Sequence, residues 1–311
     1  MKWNSRRVAL VILLGVCLSG AVFAQKKTFR IGLSVLQLSN PFFAALSEAA
    51  KEYAKANGAV ITVNDPNNDP NAQISAIETF IAANMDAIII TATDRKAIMP
   101  SIRKARAAGI VVVGETEKLD EYDGWVATDE HAIGFALGEE AGKFIRDRLG
   151  CKAEVGILNY RQLPVLIFRE QGIEDGIHKY CPNAVVVARA QAGDPTDGMK
   201  NAENFLQAHP NMKVICGIND GGALGAYEAV KAAGLARDDF FVGGIDALPQ
   251  ALAKIKEGGV YRASVTQDVV LKAQMCVEVA LRILRKQKYE RDNFLPIEAV
   301  NVSNVDKFLK K

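Results

Sequence analysis

Asn40-Pro41-Phe42-Phe43 places an amide beside two aromatic rings. That combination suits a small polyhydroxylated ring, whose C–H faces lie against aromatic plates while its hydroxyls meet groups that donate and accept. Asn219, Asp246 and Gln267 each follow an apolar, strand-like run and can supply the polar edge. Asp94, Glu115 and Glu117 follow other such runs and add carboxylates. Tyr160 and Arg161, with Gln162, read either as further ligand contacts or as an exposed loop. Phe42 and Phe43 read as ligand plates or as the buried face of a helix.

Catalytic constellations are not evident. His131, His178 and His209 sit on or at the ends of polar helical faces. No Gly-x-Ser-x-Gly elbow, phosphate loop or dinucleotide fingerprint occurs. Gly221-Gly222 with Gly225 lacks dinucleotide spacing, and close packing of a helix accounts for it. Adjacent acids such as Glu139-Glu140 and Asp238-Asp239 point apart and make poor acid–base partners. No spacing indicates a metal site, and no cofactor is expected. The chemistry on offer is recognition.

These residues need elements to hold them. Strand-like runs at Phe29–Leu36, Val60–Val63, Ala87–Thr91, Ile110–Val113 and Trp125–Thr128 alternate with helical stretches near Phe42–Asn57, Ala72–Asn84, Ile98–Ala108 and, capped by Asp129, up to Leu149. A second series has strands at Glu154–Leu158, Ala184–Ala190, Lys213–Ile218, Phe240–Ile245 and Tyr261–Thr266. Its helices lie near Ile167–Tyr180, Thr196–Ala208, Gly222–Ala233 and Pro249–Lys256. A long helix near Val269–Lys286 and a short strand, Ile297–Val302, follow. Alternation of this kind predicts parallel sheets covered by helices on both faces, and there are too many strands for one sheet. The expected fold class is α/β, two doubly wound lobes. Ligands of such sheets bind beyond the carboxyl ends of the strands, where the polar residues above gather.

The first residues carry a different message. Lys2, Arg6 and Arg7 precede an apolar run from Val8 to Phe23, and Val22 and Ala24 suit a cleavage site, so residues 1–24 read as a secretory signal peptide rather than a retained anchor. Ser5-Arg6-Arg7 only approaches a twin-arginine signal, and Cys17 only faintly resembles a lipoprotein junction. Once the segment leaves, the formal net charge of +2 becomes −1, which provides no electrostatic footprint for nucleic acid. Of the remaining cysteines, Cys216 and Cys276 lie in apolar segments. Cys151 and Cys181 each precede a strand and can pair in an oxidising compartment if those strands are neighbours.

The motifs Asn40-Pro41-Phe42-Phe43, Ala92-Thr93-Asp94, Ala127-Thr128-Asp129, Arg169-x-x-Gly172, Asn219-Asp220-Gly-Gly-Ala-Leu-Gly225, Val242-Gly-Gly-Ile-Asp246 and Thr266-Gln267 together resemble the periplasmic sugar-binding proteins of ABC importers, the ribose/galactose-binding type. The resemblance runs from Lys26 to Gln267 and more loosely to the end. It implies the type I periplasmic binding protein fold, with a three-segment hinge near residues 128, 267 and 298, and ligand contacts from Asn40, Phe42, Phe43, Asn219, Asp246 and Gln267. It also implies a monomer that delivers a sugar-like ligand to a membrane ABC permease from the periplasm. The implied lobes are residues 25–128 with 267–298, and 129–266 with 299–311.

The chain departs from ribose binders at three places. Thr116-Glu117, preceded by Glu115, replaces an Asp-Arg pair; Ile167 replaces an arginine; Gly193 replaces a ring-stacking phenylalanine. Extra carboxylates and fewer arginines point away from ribose and toward a ligand with a positive group, such as an amino sugar; a polyol or furanose signal is another reading. Presentation of a ligand to a chemoreceptor is the second function, and a secreted glycoside-acting enzyme the third. A sugar-responsive repressor of this architecture needs a helix-turn-helix where this chain has its apolar leader.

Overall fold

The computed structural model describes residues 27–309; the expected signal peptide lies outside the described residues. In the first lobe, β1 (Phe29–Ser34), β2 (Ala59–Asn64), β3 (Ala87–Ile90), β4 (Val111–Glu115) and β5 (Gly124–Ala127) alternate with α1 (Pro41–Ala56), α2 (Pro70–Ala82) and α3 (Arg95–Ala107). All four residues of β3 are apolar and buried, as expected of a central parallel strand covered on both faces. The second lobe runs α4 (Glu130–Leu149), β6 (Glu154–Asn159), α5 (Val165–Tyr180), β7 (Val185–Gln191), α6 (Pro195–Ala208), β8 (Val214–Gly217), α7 (Asp220–Ala232), β9 (Phe241–Asp246), α8 (Pro249–Glu257) and β10 (Tyr261–Thr266). Then come α9 (Val269–Leu284), β11 (Asp292–Phe294) and β12 (Glu298–Asn301).

The sheets have the orders β11-β5-β4-β3-β1-β2 and β12-β10-β9-β8-β6-β7. Helix α9 packs on α1 and the first sheet, β11 extends that sheet beside β5, and β12 joins β10 in the second. The chain therefore crosses between lobes three times: after β5, after β10 and after β11. This is the type I periplasmic binding protein architecture with its three-segment hinge.

Two details differ from the sequence reading. Strand β12 lies antiparallel to β10, because it arrives by a short link from the first lobe rather than through a covering helix. Strand β11 was not anticipated: it is three residues, Asp-Asn-Phe, with no apolar alternation to mark it.

Each sheet reverses its winding at one point, and these points position the site. In the first lobe β1 lies between β2 and β3, with Ser34 level with Asn64 and Ile90. In the second, β6 lies between β7 and β8. Loops leaving β1 and β3, or β6 and β8, diverge to opposite faces and open a crevice between them. Each lobe has its own apolar cluster, and a third runs from one lobe to the other, including Phe42, Phe43, Tyr160, Leu163 and Leu166. No helix among the described residues is long and apolar enough to cross a membrane.

Candidate ligand-binding site

The two crevices face each other around a cavity of about 40 Å³. From the first lobe, Leu36, Gln37 and Asn40 follow β1, Phe42 and Phe43 open α1, and Thr91 and Thr116 follow β3 and β4. From the second, Tyr160 and Leu163 follow β6, Leu166 and Arg169 lie on α5, and Gly193 follows β7. Ile218 and Asn219 follow β8, and Asp246 and Gln267 close the wall. The lobes touch beside it, where the Ser39 hydroxyl donates to Asp194 Oδ2 at 3.3 Å.

Several of these residues are placed by helix capping. Asn40 Oδ1 accepts from Phe42 N at 2.9 Å, and Pro41 occupies the first helical position, which proline tolerates. What Asn40 offers a ligand is therefore its Nδ2 donors. Asn219 caps α7 through Gly222 N at 2.8 Å, while its Nδ2 donates to Gly193 O at 2.9 Å. The Phe42 and Phe43 rings meet edge to face at 5.2 Å, and both line the cavity while belonging to the apolar cluster.

Arg169 reaches the wall because α4 and α5 pack backbone to backbone. A Cβ on Gly134 would lie 2.0 Å from Arg169 O, and one on Gly172 would lie 2.2 Å from His131 O. That approach brings the Arg169 guanidinium onto Glu130 at 2.5 Å, with Nη1 donating to Ile218 O at 2.8 Å. Close packing also explains Gly225, where a Cβ would sit 2.1 Å from Pro195 O.

Asp246 has one carboxylate oxygen engaged and one not. Oδ1 accepts from Gln267 Nε2 at 2.6 Å, whereas Oδ2 is buried with no hydrogen-bond partner in the structure. Asp246 also has φ 127°, and neighbouring Ala247 has φ 53°, unusual for residues other than glycine. Beneath it, buried Asp220 accepts from Tyr261 Oη and Ser264 Oγ, both at 2.7 Å, and from Leu248 N at 2.8 Å. Burial, and for Asp220 the neighbouring Asp246 charge, push both carboxyls up, Asp220 to about 8 and Asp246 to about 7. Arg169, the Gln267 hydrogen bond and Lys272 pull Asp246 the other way.

Four expected contacts do not line the cavity. Asp94 is exposed and turned back as the cap of α3, accepting from Ala97 N at 3.0 Å. Glu115 lies behind the wall, fully buried against Lys272 at 2.7 Å, with Thr91 and Thr116 hydroxyls donating to it at 2.5 Å. Burial works to raise Glu115, but Lys272 and these donors hold it below the usual carboxylate range. Glu117 faces Arg95 at 3.8 Å, and burial raises it. Arg161 forms an outward pair with Glu170 at 2.8 Å. The two extra glutamates are thus oriented toward the first lobe's own cations, because each needs a counter-charge once buried.

Sequence reasoning passed over Arg169 as a contact, although its motif was visible, and passed over Leu163, Leu166 and Lys272 entirely. By sequence Gly193 is the loss of a plate. In the structure a Cβ there would lie 2.8 Å from Tyr160 Cε2 and 3.1 Å from Gln37 Nε2, so the Tyr160 ring occupies the space beside it. Burial, with the charges of Asp194 and Asp197, pushes the Tyr160 phenol up to about 12, so it stays neutral. Cys151, ahead of β6, and Cys181, ahead of β7, are joined in a disulfide.

The periplasmic binding protein domain family model matches residues 31–288. The chain belongs to the periplasmic binding protein family. Among relatives of this family member, a ribose import binding protein of Bacillus subtilis is 34% identical, covering 88% of this chain and 87% of its own. A putative rhizopine-binding protein of Rhizobium meliloti is 28% identical over 96% of this chain and 98% of its own. The solved structure of an ABC transporter solute-binding protein from Bacillus halodurans with bound myo-inositol superposes with a TM-score of 0.81 at 28% identity, covering 92% and 99% of the two chains. The family is one of solute-binding proteins, and the binding mode expected of a periplasmic binding protein is closure of two lobes around one small molecule.

Proposed function

We propose that this protein captures a small polyhydroxylated ligand, a ring sugar or cyclitol, between its lobes in the periplasm and delivers it to the membrane permease of an ABC importer. One observation carries the reading: the facing crevices converge amide, hydroxyl, guanidinium and carboxylate groups on one cavity, and buried Asp246 Oδ2 there lacks a partner. A ligand hydroxyl would satisfy that oxygen, and Phe42, Phe43 and Tyr160 would receive apolar C–H faces. The protein acts as a monomer by binding rather than turnover, with no nucleic acid involved.

The charge argument for an amino sugar is weaker in three dimensions. Glu115 is matched by Lys272, and Glu117 does not line the cavity, so Asp246 is the acidic group lining it. Arg169 is there with its own partner, Glu130. A neutral ligand fits this balance better.

A thermal-shift screen over pentoses, hexoses, polyols, cyclitols, amino sugars and furanoses tests this. A ligand at a hundred times its dissociation constant adds about 2.7 kcal/mol of stability. We expect a large shift from a neutral sugar or cyclitol. Shifts confined to amino sugars would reject neutrality, and turnover of any glycoside would reject capture.

A further inference from the structure

We propose that Lys272 is a positioning residue for the ligand: it orients the Gln267 amide, which in turn leaves Asp246 Oδ2 as the acceptor presented to the cavity. Lys272 does not line the cavity and is fully buried behind it. Its ammonium lies 2.7 Å from Glu115 Oε1, donates to Thr116 Oγ1 and Gln267 Oε1, each at 2.9 Å, and stands 5.5 Å from the centre of the Phe42 ring. It thus backs three groups that do line the cavity.

An ammonium can only donate, so the Gln267 oxygen must face it. The amide nitrogen is then turned to Asp246 Oδ1, where it donates at 2.6 Å. Once Asp246 is ionised, above its raised pKa, its carboxylate can only accept, so the chain of bonds has one direction, Lys272 to Gln267 to Asp246. It ends at Oδ2, which is buried and unpartnered. The other charges acting at Asp246 are Asp220 beneath it and Arg169 on α5.

The chain also spans the molecule. Lys272 belongs to the first lobe, Gln267 to the second hinge crossing and Asp246 to the second lobe. Buried ion pairs add little stability compared with apolar replacements, so the Lys272–Glu115 pair is better explained by what it orients.

The test uses the purified protein with Lys272→Met/Glu115→Gln, which removes both charges and strands neither, and with Gln267→Glu. Carboxyl NMR follows Asp246 without any ligand; calorimetry uses D-ribose, xylitol and myo-inositol. In the double variant Asp246 should titrate at higher pH, and affinity for whichever compound binds should fall about tenfold or more, the loss of one charge-assisted contact. In Gln267→Glu, affinity should strengthen as pH falls, because the new carboxyl accepts from Lys272 but must be protonated to donate to Asp246. Unchanged Asp246 titration and affinity in the double variant, or a wild-type pH profile in Gln267→Glu, would overturn the proposal. The affinity arm rests on the capture reading and the titration arm does not. If none of the three compounds binds the wild type, the Asp246 titration in the double variant decides; if the double variant does not fold, the Asp246 titration in Gln267→Glu decides, a wild-type curve overturning the proposal.

Discussion

Asp246 concentrates most of what can be tested at single residues. Asp246→Ala should abolish the Oδ2 contact and weaken ligand binding by about 2 kcal/mol or more while the far-ultraviolet dichroism stays unchanged. The pair with Asp220 also has a pH signature. Both carboxyls are raised in the folded protein by burial, Asp220 to about 8 and Asp246 to about 7. The folded state therefore holds protons that the unfolded chain, with carboxylates near pKa 3.9, has released. That stabilisation is full below the unfolded value and is lost as pH rises through the folded ones. The melting temperature of ligand-free protein should fall from about pH 5 to about pH 8, and Asp246→Asn should flatten the slope. Gly193→Ala should push Tyr160 or Gln37 out of place, costing about 1–3 kcal/mol of binding by calorimetry.

The same residues look different as parts of elements. Asn40 and Asn219 begin the helices that follow β1 and β8, so one side chain both caps a helix and faces the cavity. Asn219→Ala should lower stability by about 1–2 kcal/mol in urea titration, since the cap and the tether to Gly193 go together. The Cys151–Cys181 disulfide ties the ends of α4 and α5, the helices whose glycine-lined contact presents Arg169. Reducing it should cost about 2–4 kcal/mol by the same measurement. Elements of this kind were legible in the sequence: strand ends, proline openings and capping residues announced themselves locally. Side-chain direction did not. Asp94 and Asn40 are both caps at strand-to-helix junctions beside the reversal of winding, yet only Asn40 lines the cavity; after β3 it is Thr91 that lines it, and Asp94, three residues further on, is exposed.

For the molecule, the proposed capture makes binding a balance between open and closed lobes, shifted by contacts from both sides. Ser39–Asp194 is a contact between the lobes that lies outside the cavity. Ser39→Ala should weaken ligand affinity by about 0.5–1.5 kcal/mol by calorimetry. Small-angle scattering should show the radius of gyration falling when a shifting compound from the thermal screen is added.

Apolar periodicity and capping signals, which depend on neighbours within a turn or two, determined the α/β class, the two strand series and the polar strand ends by themselves. Only the tertiary structure decided which polar ends meet. Strand order places the winding reversals, and burial forces every charge to find a counter-charge. Thus Glu115 became the partner of Lys272, 157 residues away by sequence number, rather than a ligand contact. Tyr160 came to lie beside Gly193 for the same reason: their closeness depends on β6 and β7 being neighbours, which no local pattern records.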